Sequence, residues 1–127
     1  MRPLLFLFLL STMFFGIIVM ESPLNTAKWF QKILDSKVLA RDRAGVKTLT
    51  RKEFTFQECK GKVLKRDEFA DMAISTNMAG TVLEARADKL HVIYIVQYGK
   101  RKMQFMITEA QVPVVAWGLA RGQDWIC

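Results

Sequence analysis

Gly80-Thr-Val-Leu-Glu-Ala-Arg-Ala87, Leu90-His-Val-Ile-Tyr-Ile-Val-Gln-Tyr98 and Arg101-Lys-Met-Gln-Phe-Met-Ile-Thr108 follow one another with only Asp88-Lys89 and Gly99-Lys100 between them. Runs rich in β-branched and aromatic residues, separated by two-residue breaks, predict a three-stranded antiparallel meander, and Gly99 suits the first position of a type II′ turn. In the middle run Val92, Tyr94, Val96 and Tyr98 share one face, while His91, Ile93, Ile95 and Gln97 share the other. Both faces are apolar at the centre. That pattern belongs to a strand covered on both sides, either inside a packed sheet or in a closed barrel.

Upstream, Glu53-Phe-Thr-Phe-Gln57 alternates with Phe54 and Phe56 on one face, and Gly61 separates it from Lys62-Val-Leu64, which predicts a hairpin or bent pair. Asp67-Glu-Phe-Ala-Asp-Met-Ala-Ile74 opens with acids and repeats apolar residues at helical steps, so a short helix or long turn is expected there. Downstream, Thr108 to Pro113 reads as a one-turn connection, and Pro113 confines Val114 to Trp117 to an edge or terminal strand. Leu24 to Ala40 has helical spacing in Ala27, Phe30, Ile33, Leu34 and Val38, with Ser22 as cap and Pro23 in the first turn. This helix has two readings: a stripe packed on the core, or an interfacial helix with Trp29 at headgroup level. Ala40 to Gly45 breaks the pattern as a loop. The expected fold is therefore α+β and mainly β: a hydrophobic N-terminal helix, an amphipathic helix, then a small antiparallel barrel of the SH3-like kind.

Residues 3–20 carry no charge, enough for a helix of roughly 27 Å, close to bilayer thickness. The expected organisation is a signal peptide or signal-anchor transmembrane helix over 1–22, a juxtamembrane amphipathic helix and linker over 23–45, and a small β-rich domain over 46–127. No small-x-small cleavage pattern follows the hydrophobic run, so an uncleaved anchor and a cleaved signal both remain open. Export is the favoured topology, because the first cation after the run is Lys28. The expected location of the C-terminal domain is outside the cytosol, tethered by a single span, or secreted or periplasmic after cleavage.

The net charge is +7 and unevenly spread: residues 28–66 hold twelve Lys or Arg against four Asp or Glu. Lys28, Lys32, Lys37, Arg41 and Arg43, with Lys100, Arg101 and Lys102 at the hairpin tip, are the candidate basic surface. Beside Tyr94 and Tyr98 the second group resembles a single-strand nucleic-acid platform, but export makes nucleic acid an unlikely partner. Cys59 and Cys127 are the only cysteines, and in an exported chain they are the candidate disulfide, worth roughly 4 kcal/mol for so long a loop.

The chemistry of catalysis is missing. His91 is the sole histidine, no Gly-x-Ser-x-Gly or phosphate-loop pattern occurs, and Asp67, Glu68 and Asp71 read as helix-dipole partners. No catalytic residue, metal ligand or cofactor is expected. Trp117, Arg121 and Trp125 are the candidate partner-binding residues, being the residue types that dominate binding hot spots. These observations lead to an expected binding module acting through protein–protein contacts in the cell envelope, as an assembly factor, inhibitor or immunity-type component. The alternative is a cytosol-facing anchored domain that binds nucleic acid or anionic lipid through its basic half.

Overall fold

A computed structural model describes residues 22–110 and 116–127. Residues 3–20 and Pro113, with the expectations attached to them, lie outside the described residues. Among the described residues no helix is long and apolar enough to cross a membrane.

Helix α1 runs Pro23–Leu39, and Ser22 caps it by accepting the Asn25 amide on its Oγ at 3.1 Å. Its buried stripe is Ala27, Phe30, Gln31, Leu34 and Val38. Arg41, with φ at 56°, turns the chain, and Asp42 starts a short helix α2, Arg43–Thr48, by accepting the Gly45 amide at 2.9 Å. The expected loop is thus partly helical, because an Asp at the cap position supplies the acceptor that the first turn needs. Strand β1 (Thr50–Gln57) and strand β2 (Val63–Lys65) form the expected hairpin, with Gly61 at φ 89° in its turn. Helix α3 (Arg66–Thr76) carries Asp67 and Glu68 in its first turn and ends at Asn77 in the left-handed region.

The meander forms as read: β3 (Thr81–Asp88), β4 (His91–Tyr98) and β5 (Arg101–Ala110) pair antiparallel in sequence. The turn between β3 and β4 is shifted one residue, with Lys89 at φ 57°. Strand β6 (Ala116–Asp124) pairs antiparallel with β5 and parallel with β1. The sheet order is β2-β1-β6-β5-β4-β3.

Two expectations are corrected here. The sheet does not close into a barrel: β2, at one edge, has three residues, and the helices, not a second layer of strands, cover the inner face. Of the two readings of the last strand, edge or terminal, the edge is overturned: β6 is the last described strand in sequence but lies inside the sheet between β1 and β5. The arrangement is α+β, mainly β: a helix followed by a six-stranded open sheet.

The core lies between the helices and the inner face. Phe54, Phe56, Tyr94, Phe105 and Ile107 from the sheet meet Phe30, Leu34 and Val38 of α1 and Phe69 of α3. Of the two readings of α1, the packed stripe is therefore the one the contacts support. The Phe69 ring sits 4.7 Å from Phe54, 5.8 Å from Phe56 and 5.9 Å, edge-on, from Phe105.

Candidate functional site

The inner face is filled. Gln31 reaches from α1 to the sheet, its Oε1 accepting from the Tyr94 hydroxyl at 2.8 Å and its Nε2 donating to the Tyr98 hydroxyl at 2.6 Å and to Asp35 Oδ1 at 2.8 Å. Asp35 also accepts the Gly80 amide. Burial pushes the Tyr94 and Tyr98 phenols up and raises the Asp35 carboxyl, so the network is held neutral at its tyrosine end. Between Leu34, Val38, Phe69, Met72, Tyr98 and Met103 a cavity of about 20 Å3 remains. That is room for one water and for no organic ligand. Of the tyrosines that the sequence placed beside a basic turn, Tyr94 is in the core and Tyr98 is half-buried against it with its hydroxyl bonded to Gln31, so they do not form a paired stacking platform for a nucleic acid.

The outer face of the sheet is different. Register places Gln57 opposite Gln123, Gln123 opposite Gln104, Gln104 opposite Ile95 and Ile95 opposite Glu84, one row across five strands. The neighbouring row is Thr55, Arg121, Met106, Ile93 and Arg86. These rows bound a trough of about 400 Å3 holding Thr55, Gln57, Gln104, Met106, Arg121 and Gln123. It adjoins a smaller depression of about 180 Å3, where Trp125 stands with Glu84, Arg86 and Ile95. Ile93 and Gln104 line both. Trp125 is 45% exposed, whereas Ile95, on the same face, is only 6% exposed. Three of the eight residues lining the larger trough are glutamines and one is charged.

The tail that presents Trp125 is clamped at several points. Cys59 and Cys127 form a disulfide, with Cα atoms 5.4 Å apart, joining the β1–β2 turn to the last residue. Asp124 accepts from Arg101 at 2.7 and 3.1 Å and from the Cys59 amide at 3.2 Å, and the Trp125 amide donates to Lys102 O. Arg101 also lies over the Phe56 ring at 5.7 Å. This cation from the expected basic surface is thus the anchor of the tail.

The other candidates are dispersed. Trp117 is half-buried and packs on the inner-face core, so it does not join Trp125, while Arg121 does share the outer face with it. Lys28 and Lys32 stand exposed on α1, Lys37 lies 3.9 Å from Asp42, and Arg43 donates to Asp71 at 2.6 Å. The Arg43 guanidinium holds the Asp71 carboxyl below its usual range, and Lys47, at 2.6 Å, does the same for Asp67. Arg41 and Lys100 are exposed at turns. His91 is half-buried, and no group of three or more His, Cys, Asp or Glu able to hold a metal occurs among the described residues. The glutamine row escaped the sequence reading because alternation assigns each Gln to a face but not to a register; only the pairing of β1, β6 and β5 aligns them.

The chain matches no protein-family model and no curated protein. Solved structures do resemble it. An NTF2-like protein of unknown function in nutrient uptake from Rhodospirillum rubrum is 15% identical, with a TM-score of 0.60 over 79% of this chain and 97% of that one. A domain of unknown function with a cystatin-like fold from Nostoc punctiforme is 12% identical, with a TM-score of 0.58 over 79% and 74%. A de novo designed protein with a curved β-sheet is 12% identical, with a TM-score of 0.61 over 80% and 98%. At these identities the likeness is one of fold alone, and that fold is the NTF2-like or cystatin-like one: a helix laid against an open six-stranded sheet.

Proposed function

We propose that this chain is an exported or membrane-tethered binding module that engages another component of the cell envelope through the outer face of its sheet. It performs no chemistry of its own. The observation that carries this reading is the pairing of a filled interior with an exposed, clamped Trp125 beside the Arg121 trough. A ligand cannot enter a 20 Å3 space, whereas a half-exposed Trp held in place by a salt bridge and a disulfide is already ordered before binding. Pre-ordering spares the entropy that association otherwise costs. The disulfide supports maturation in an oxidising compartment, the setting that an export signal or anchor in the apolar run 3–20 would provide.

A photo-reactive residue installed at Gln123, or separately at Lys28 on α1, tests the surface in cells that export the chain. The Gln123 position is expected to give a discrete adduct that Trp125→Ala removes while the disulfide-bonded fold persists. Adducts from the Lys28 position alone would transfer the contact to the basic half of the chain.

A further inference from the structure

We infer that the outer-face trough is a binding site for a neutral oligosaccharide chain laid across the strands; this rests on the reading that the outer face is the binding surface. The argument starts from what the trough displays. Gln57, Gln123 and Gln104 stand side by side on three adjacent strands, so their amides form a row about 10 Å long at the usual strand spacing. Each amide offers both a donor and an acceptor. Thr55 adds a hydroxyl, and Arg121 adds the only charge in the lining. A sugar hydroxyl is likewise donor and acceptor at once, and a row of such groups complements a row of amides.

At the β5–β4 end the row runs into the Trp125 depression. An indole offers a large apolar face of negative potential, which fits the C–H face of a pyranose ring. Amides for the ring's edge and an aromatic for its face are together the chemistry that a sugar unit requires.

Charge decides between this occupant and the others. The chain as a whole carries +7, yet the trough lining carries one cation and no acid, and the Trp125 depression adds one of each, Arg86 and Glu84. Nucleic acid or anionic lipid would be met by a cluster of Lys and Arg, which here lie elsewhere. A second copy seated face to face would bury both rows of glutamines and bring Arg121, in the middle of the trough, toward its own twin, a like-charge contact that costs affinity. An apolar protein surface would strip water from all three glutamine amides, of which, among the described residues, Gln57 alone has a contact of its own, to Glu58 O at 3.1 Å, so each carries a desolvation penalty.

The test is titration calorimetry on the full, disulfide-bonded chain. The probes are hexasaccharides of β-1,4-linked glucose, β-1,4-linked N-acetylglucosamine and α-1,4-linked glucose, with heparin as the polyanionic control. At least one neutral hexasaccharide is expected to bind with little dependence on salt. Trp125→Ala and the double variant Gln104→Ala, Gln123→Ala should each weaken it about tenfold or more, the loss of a stacking or paired hydrogen-bond contact. Lys28→Ala should leave it unchanged. Binding of heparin alone, or hexasaccharide binding that both trough variants retain, overturns the inference. If no hexasaccharide binds but the Gln123 photo-adduct forms with a protein and needs Trp125, the sugar is refuted and the surface stands. If neither occurs, the surface reading itself falls. Circular dichroism and the intact mass of the disulfide-bonded variants separate lost binding from lost fold.

Discussion

Gln31 interrupts the apolar stripe of α1, and the interior is built to accept it: two phenols and a carboxylate close around its amide. The carboxylate is the member that responds to pH. Burial raises the Asp35 carboxyl above its ordinary value, against the lowering effect of the Gly80 amide and Gln31. A carboxyl raised by folding stabilises the fold while protonated and gives that contribution up once ionised. The loss sets in as pH climbs past its unfolded value of about 3.9. Asp35→Asn, which cannot ionise, should therefore gain on the wild type as pH rises from about 3 to 7. Urea midpoints across that range measure the gap, and parallel curves would show that Asp35 carries no such penalty. Asp67 and Asp71 work in the opposite sense: their carboxyls are lowered by Lys47 and Arg43, so their support is present at neutral pH and fades in acid. Both are exposed, and their effect on the same curves is small.

Among the elements, α3 depends most on one side chain. Phe69 touches rings from β1 and β5, and its neighbour Ala70 is also fully buried. Phe69→Ala should cost about 3–5 kcal/mol in a denaturant titration, the usual loss for a buried aromatic. A loss below about 1 kcal/mol would mean that the cluster closes without it. This helix was legible from its acids and apolar spacing, as was α1 from Ser22, Pro23 and its stripe. The meander was legible for a simpler reason, since period-two alternation and two-residue breaks are local signals. What alternation could not convey was who pairs with whom across sixty residues. Strand β6, read as an edge or terminal strand because of Pro113, is flanked by β1 and β5, and Gly122 shows how tight that place is: a Cβ there would stand 2.7 Å from Phe56 and 2.8 Å from Phe105. The same blindness to pairing concealed the glutamine row and split Trp117 from Trp125, which a linear reading sets together. Arg101 was read as a free cation because no local pattern reveals that Asp124, twenty-three positions on, waits for it.

For the molecule as a whole, the Cys59–Cys127 bond fastens the end of the chain to the β1–β2 turn. Cys127→Ser should lower stability by about 2–5 kcal/mol, and a reductant should then have no further effect on the variant while it destabilises the wild type by a similar amount. Equal urea midpoints with and without reductant in the wild type would show that Asp124, Arg101 and the β1–β6 ladder hold the tail unaided. That parallel ladder also sets an order of events. Until β6 exists, β1 has only the three residues of β2 beside it, and the inner face of the sheet has a gap at its middle. Contacts so distant along the chain make for slow assembly. A polypeptide emerging amino end first can set Phe69 against Phe54 and Phe56 early, yet it leaves the β1 ladder open on one side and Cys59 without its partner until β6 and Cys127 have been made.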